Sequence, residues 1–175
     1  DVLRRISDEA PNVSELFCLR DMLRYLVDEK EIKMGGYCYQ GYVAPILDFN
    51  SYVKQSFAIL NYHNRSELFL NEWPIYTTTH NTPPALYSEE AKVRHSFIAN
   101  GSIIRGKVDN SIISRNVVIG EGAKIKNCII FTDTEIGKGV SLTNVVSDKG
   151  ALIKTVKSVK GEEDNLLYIK MGAKI

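Results

Sequence analysis

Two stretches in the second half of the chain repeat one phrase, "NSIISRNVVIGEG" at residues 110–122 and "NCIIFTDTEIGKG" at residues 127–139. Both begin with Asn and end with Ile-Gly-x-Gly. The beginning of the phrase also stands at His95 and at Asn144. The four copies therefore follow one another at nearly constant intervals, and only the interval from His95 to Asn110 is slightly shorter than the other two. A fixed period of this kind predicts a repeat architecture.

Aliphatic residues within the copies recur about every six positions, at Ile113, Ile119, Ile125, Ile130, Ile136 and Leu142. This spacing predicts a mainly β fold, a parallel β-helix of hexapeptide repeats, in which each short strand turns one aliphatic side chain inward. Such helices usually wind left-handed, against the right-handed crossover rule. Glycine and asparagine suit the corners, because they tolerate left-handed backbone. An antiparallel sandwich is the alternative, but such folds seldom keep a fixed period.

The first third of the chain predicts helices. Residues 12–33 have helical spacing, with a buried face made of Leu16, Leu19, Leu23, Leu26 and Val27. Residues 37–47 are aromatic and strand-like as far as Pro45. Residues 48–60 predict a second amphipathic helix, for which Asp48 or Asn50 is the candidate N-cap.

The remaining segments complete the expected organisation. Residues 61–94 hold three of the five prolines and are predicted to be an extended linker, with Trp73, Ile75 and Tyr76 packed on a neighbouring surface. The β-helix domain would occupy residues 95–175. After residue 153 the sequence predicts a hairpin with "GEEDN" as its turn, which would cap the open end. Residues 1–60 form the first part.

The composition excludes several classes of protein. Lys and Arg number 22 against 21 Asp and Glu, a balance that argues against a general nucleic-acid binder. No run approaches the roughly 18 apolar residues of a membrane span. Cys18, Cys38 and Cys128 are odd in number and widely spaced, which favours the reducing cytoplasm. The first residues form no signal peptide and begin without Met, so we interpret the start as a break in a longer chain.

Few residues carry an obvious chemistry. His63, His80 and His95 are the candidates for a general base, as in hexapeptide acyltransferases, but the spacing along the sequence suggests no pair of a nucleophile and a nearby base. No Gly-rich phosphate loop and no cluster with metal-ligand spacing occurs. The first repeats carry arginines in slots that should point outward, and charge-assisted bonds to an anionic effector would be expected at Arg94, Arg105 and Arg115.

The order of these motifs resembles the C-terminal half of the bacterial ADP-glucose pyrophosphorylases, also called glucose-1-phosphate adenylyltransferases, over roughly residues 35–153. The most specific pieces are "WPIYT" at 73–77, "PPA" at 83–85 and "NGSIIRGKVDNSI" from Asn100. The resemblance implies an α/β nucleotidyltransferase domain followed by a left-handed β-helix domain. Residues 1–60 would be the C-terminal remnant of the first domain, with the nucleotide loop upstream of Asp1.

One position departs from the family pattern. In catalytic members the strand that enters the last helix reads G-Y-W-x-D-V-G-T-x-x-S-Y, and its aspartate helps to hold the metal ion. The corresponding stretch, residues 41–52, reads "GYVAPILDFNSY", which puts Pro45 in the place of the aspartate. Magnesium requires oxygen ligands, and a proline ring offers none. Asp48 lies three residues further along the chain.

The departure resembles the non-catalytic D-type subunit of the family. The resemblance implies a regulatory or structural subunit for glycogen biosynthesis, without catalytic residues, cofactor or metal of its own. It would assemble with a catalytic GlgC-type subunit that holds magnesium, as a heterotetramer in the cytoplasm, and respond to small phosphorylated effectors. The alternatives are a competent pyrophosphorylase of the same family and a hexapeptide acyltransferase. Nucleic-acid and membrane partners are not expected.

Overall fold

The computed structural model describes Arg4, Asp8 and residues 19–28 and 33–175. The chain divides into two compact units, residues 1–40 and 41–175. No helix within the described residues is long and apolar enough to cross a membrane.

The first unit contains helix α1 (Leu19–Asp28), which confirms the central part of the helix predicted over residues 12–33. Met22 and Leu26, one turn apart, are buried, and Leu23 packs against them. Val27, predicted to be buried, is exposed, because it lies beyond Leu23 at the outer edge of this stripe. Residues 12–18 and 29–32, with the predicted Leu16, and the Leu19 side chain lie outside the described residues.

The strand predicted at residues 37–47 is wrong. Residues 33–46 contain neither helix nor strand, and the side chains of Tyr37 and Leu47 are both 88% exposed. An extended segment becomes a strand only when a neighbouring strand accepts its hydrogen bonds. No strand lies beside this segment among the described residues.

Helix α2 (Phe49–Ala58) begins where the sequence predicts it, at Asp48. The Asp48 carboxylate accepts a hydrogen bond from Ser51 N at 2.7 Å, and Ser51 Oγ accepts one from Asp48 N at 2.9 Å. This reciprocal capping box satisfies two backbone donors that a helix start otherwise leaves without partners. Val53 is the buried residue of the helix.

Helix α3 (Tyr62–Leu68) lies in the segment predicted to be extended. Asn61 caps it by accepting a hydrogen bond from His63 N at 2.8 Å, and the prolines that disfavour helix begin only at Pro74. The rest of the connector is irregular up to residue 85. Its Trp73, Ile75 and Tyr76 are 76%, 54% and 91% exposed, so the predicted packing of these side chains within the chain is wrong.

Fifteen short strands then form three parallel five-stranded sheets, which the chain visits in turn. The first sheet contains β1 (Leu86–Tyr87), β4 (Ile103–Ile104), β7 (Val118–Ile119), β10 (Glu135–Ile136) and β13 (Leu152–Ile153). The second contains β2 (Lys92–Arg94), β5 (Lys107–Asp109), β8 (Lys124–Lys126), β11 (Ser141–Thr143) and β14 (Ser158–Lys160). The third contains β3 (Phe97–Ile98), β6 (Ile112–Ile113), β9 (Ile129–Ile130), β12 (Val145–Ser147) and β15 (Leu167–Ile169).

This arrangement confirms the predicted parallel β-helix. Equivalent aliphatic residues lie beside one another in successive coils, as Ile104 does beside Ile119 and Ile136 beside Ile153. Their side chains fill the interior, where Ile113, Ile130 and Leu142 are also almost fully buried. The first coil begins at Leu86, so the solenoid includes the last part of the segment predicted as linker. Left-handed winding stays a prediction.

Helix α2 covers the third sheet. Val53 packs with Ile129, Val146 and Leu166 in one buried cluster. The Tyr52 ring stacks on the Phe131 ring with centroids 6.4 Å apart. The helix is therefore anchored on this side of the solenoid by apolar and aromatic contacts.

One corner of the solenoid, between β4 and β5, is shorter than the equivalent corner of the other coils. Four residues, 120–123, connect β7 to β8, but only Arg105 and Gly106 connect β4 to β5. This difference explains why the step along the chain from Lys92 to its partner Lys107 is shorter than the step from Lys107 to its partner Lys124. A side chain at Gly106 would place its Cβ 2.5 Å from Ala123 O, so the short corner requires glycine.

The hairpin predicted after residue 153 is wrong. Strand β14 pairs in parallel with β11, and β15 pairs in parallel with β12. Val146 lies beside Ile129 of the preceding coil and beside Tyr168 of the next coil. More residues separate Val146 from Tyr168 than separate Ile129 from Val146. The stretch "GEEDN" therefore belongs to a lengthened corner of the last coil. The residues of this stretch do form a corner, but the two strands on either side of it, β14 and β15, pair with strands of the preceding coil and not with each other.

Asparagines form a continuous ladder at the corner between the second and third sheets. The backbone has positive φ at Asn110 (44°), Asn127 (51°) and Asn144 (56°), and also at His95 (46°) in the first coil. Asn110 Nδ2 donates to Asn127 Oδ1 at 2.9 Å, and Asn127 Nδ2 donates to Asn144 Oδ1 at 3.1 Å. Asn144 Nδ2 donates to Gly161 O at 3.2 Å, which ties in the last coil. We call this column the asparagine ladder.

Replacing Asn127 tests both roles of the ladder. Asn127→Ala should lower the free energy of unfolding by about 2–4 kcal/mol. The substitution removes two amide hydrogen bonds and forces an alanine into left-handed backbone, where its Cβ is strained. Asn127→Gly loses the same bonds without the strain and should be about 1–2 kcal/mol more stable than Asn127→Ala. Urea unfolding followed by circular dichroism measures the difference; equal stability of the two variants would contradict the assignment.

Candidate functional site

The segment that corresponds to the family's metal-binding strand does not fit a metal ion. Pro45 lies exposed in irregular backbone. The Asp48 carboxylate caps α2, and the hydrogen bonds from the Ser51 backbone and side chain lower the pKa of Asp48. Its charge therefore compensates the helix start. No group of three or more His, Cys, Asp or Glu residues that could hold a metal occurs among the described residues.

The three arginines predicted to contact an anionic effector lie at three different corners of the solenoid. Arg94 ends β2, Arg105 lies between β4 and β5, and Arg115 lies between β6 and β7. Because these corners separate different pairs of sheets, the structure does not bring the three guanidinium groups together. A single anion bound by all three is incompatible with this placement.

Arg105 lies at the shortened corner, near an ion pair of the next coils. Lys138 Nζ lies 2.7 Å from Glu121 Oε2. The hydrogen bond and charge of Lys138, with a smaller contribution from Arg105, lower the pKa of Glu121. The corner thus carries two cationic side chains against one carboxylate, and a small excess of positive charge remains exposed.

The three histidines show no catalytic arrangement. His63 Nε2 lies 3.2 Å from Glu67 Oε1 on the surface of α3, and His95 Nδ1 lies 3.6 Å from Asp109 Oδ1. His80 is exposed in the irregular connector. None of them lines the cleft between α2 and the asparagine ladder. The acyltransferase alternative therefore gains no support from the described residues.

A cleft that the sequence did not predict lies between α2, the asparagine ladder and the lengthened corner at 161–166. Its volume is about 410 Å³, and its lining comprises Asn50, Val53, Lys54, Phe57, Asn110, Asn127, Asn144, Glu163, Asp164 and Leu166. The regular spacing of the asparagines was visible in the sequence. The return of the lengthened corner onto α2 was not, because the sequence there indicated a hairpin.

Cationic side chains form two rows on the outer side of the second sheet. Its middle positions turn inward, as shown by buried Val108 and Ile125. The first residues of neighbouring strands lie side by side across the sheet, and so do the last residues. The two outer rows comprise Lys92, Lys107, Lys124, Ser141 and Ser158, and Arg94, Asp109, Lys126, Thr143 and Lys160. We call this surface the basic face.

Comparison with known proteins gives this architecture a family context. Residues 83–166 match the family model described as GlmU-like, C-terminal hexapeptide. Glycogen biosynthesis protein GlgD of Bacillus subtilis is 38% identical over 136 residues, which are 78% of the chain and 40% of that protein. The chain is a GlgD-like protein related to the glucose-1-phosphate adenylyltransferases. The resemblance predicted from the sequence is thereby confirmed.

Two further relatives support this relationship. A GlgD from Geobacillus stearothermophilus is 48% identical over 59 residues, 34% of the GlgD-like chain and 17% of that protein. Glucose-1-phosphate adenylyltransferase of Bacillus cytotoxicus is 30% identical over 155 residues, 87% of the chain and 41% of the enzyme. The GlgD-like chain thus spans about two fifths of the length of the first GlgD and of this enzyme.

The buried cysteine of the GlgD-like chain is structural. Ser111 N donates to Ser96 Oγ at 3.0 Å, and one coil later Cys128 N donates to Ser111 Oγ at 3.0 Å. Cys128 Sγ continues the column by donating to Lys126 O at 3.0 Å. Burial raises the pKa of the Cys128 thiol to about 12. The thiolate, which is the nucleophilic form, is therefore disfavoured at neutral pH.

Alkylation tests this environment. Iodoacetamide at pH 8 should label exposed Cys38 in the folded protein at least about tenfold faster than Cys128, because only a minute fraction of the Cys128 thiol is ionised. Peptide mass spectrometry resolves the two sites. In urea both should react at similar rates, which serves as the control. Equal labelling in the folded protein would show that the middle coil around Cys128 opens readily, and would contradict the assigned environment.

Proposed function

We propose that this GlgD-like chain is part of a non-catalytic subunit of glucose-1-phosphate adenylyltransferase, which assembles with a catalytic GlgC-type subunit during glycogen biosynthesis. The observation that carries the proposal is Pro45 in the place of the family's metal-binding aspartate, in a chain similar to GlgD. The adenylyltransferase name of a second relative supports the same reaction context.

The chemistry explains why this one replacement matters. The reaction joins ATP and glucose 1-phosphate, and the metal ion, when bound, neutralises charge on the phosphate oxygens during transfer. Pro45 has no oxygen in its side chain, and the Asp48 carboxylate is held by the start of α2. Loss of one such contact typically lowers a rate by about a hundredfold to a thousandfold. The proposal assigns the magnesium to the catalytic partner.

The solenoid suits the proposed role in assembly. Its strands are held by hydrogen bonds to the coils on both sides, so the faces form a rigid surface. Helix α2 covers one sheet and leaves the basic face uncovered within the described residues. We also assign contacts with small phosphorylated effectors to Arg94, Arg105 and Arg115. Since these lie at separate corners, each would bind its own anion or share one with a neighbouring subunit.

Co-expression tests the proposed function. The full-length protein that contains this chain should copurify with a catalytic GlgC-type subunit and change its turnover or its response to phosphorylated metabolites. Alone, it should release pyrophosphate from ATP and glucose 1-phosphate at least about a hundredfold more slowly than the catalytic subunit. A coupled pyrophosphate assay provides the readout, with the catalytic subunit alone as control. Full activity of the isolated protein would establish the competent pyrophosphorylase instead.

A further inference from the structure

The basic face concentrates charge that the rest of the chain lacks. Its two rows carry six cationic side chains and one carboxylate, a net charge of +5, at Lys92, Arg94, Lys107, Asp109, Lys124, Lys126 and Lys160. The whole chain has a formal net charge of only +1. All other residues together therefore carry −4, and the charge is strongly asymmetric.

The registered lysines repel one another. Lys107 lies beside Lys92 on one side and beside Lys124 on the other, in strands about 4.8 Å apart. Like charges in directly neighbouring positions destabilise a sheet. Elsewhere in the solenoid a similar lysine is compensated, since Lys138 pairs with Glu121 and Lys154 with Glu135. None of the three registered lysines forms an ion pair within the described residues.

The hydrophobic core does not require these lysines. The inward position of each strand, such as Val108 or Ile125, supplies the buried side chain, and the outer positions accept serine in the last two coils. Ser141 lies beside Lys124, and Ser158 lies beside Ser141. The fold therefore tolerates neutral residues in this row, and its positive charge needs another explanation.

We propose that the basic face is the docking surface for a carboxylate-rich surface of the catalytic partner subunit. The cations extend from β2 to β14, a distance of about 19 Å across five strands, which exceeds the reach of a small anion. The face is a rigid sheet, which suits a protein surface of complementary charge. The other residues of the chain together carry −4 and would repel a long nucleic acid, so a carboxylate surface of limited extent is favoured as the occupant. This inference rests on the proposed function and assigns the contact surface within it.

Binding measurements with charge variants test the docking surface. The full-length protein should bind the catalytic subunit at least tenfold more weakly when it carries Lys92→Gln, Lys107→Gln and Lys124→Gln together. Calorimetric titration at low salt measures the change. The control variant carries Lys138→Gln, Lys149→Gln and Lys170→Gln, which removes the same charge outside the basic face and should change affinity less than twofold. Raising the salt concentration should lower the affinity of the wild type and of the control variant for the catalytic subunit more than it lowers the affinity of the basic-face variant.

Thermal unfolding excludes a folding defect as the cause. The basic-face variant should melt at the same temperature as the wild type or a higher one, because it loses only repulsion. Unchanged affinity of this variant, or a lower melting temperature, would overturn the inference while the proposed function stands. If the wild type does not bind the catalytic subunit, both fail. Loss of a homodimer or of DNA binding in the variant, with partner binding intact, would assign the face to a second copy or to nucleic acid.

Discussion

Register between neighbouring coils is the constraint on which this solenoid depends. Its strands have only two or three residues each and gain their hydrogen bonds from the coils on either side. Register is kept by corners with left-handed backbone, where Asn127 both adopts the required φ and donates its amide to Asn144. A corner of different length survives where the backbone can close it, as Gly106 does. The aliphatic column is the consequence of this register and supplies the hydrophobic stabilisation.

The parts of the fold that follow local rules could be predicted from the sequence. The repeat period can be counted directly along the sequence, and the cap at Asp48 depends only on the first turn of the helix. The structure has both as predicted. The last coil could not be predicted in this way, because "GEEDN" favours a local hairpin whereas the pairing of Val146 with Tyr168 is non-local. Likewise, the sequence indicated that Arg105 points outward, but its separation from Arg94 and Arg115 depends on the order of the three sheets.

The three sheets differ in what they present, and this division connects the fold to the proposed function. One sheet is covered by α2 through Tyr52 and Phe131. Another presents lysines in register without carboxylate partners of their own among the described residues. The Pro45 side chain offers no oxygen ligand for the metal ion that an adenylyltransferase reaction uses. One covered face and one uncovered face are what the proposed role in assembly requires.

Removing parts of the solenoid tests the central role of register most directly. Deletion of residues 110–126 removes one complete coil and joins Asp109 to Asn127, which leaves every remaining strand beside an equivalent one. Deletion of residues 110–117 is less than half as long but removes one side of a coil, so that all following strands face the wrong sheet. Urea unfolding should show a cooperative transition for the longer deletion and none for the shorter. A shorter deletion at least as stable as the longer one would contradict the account.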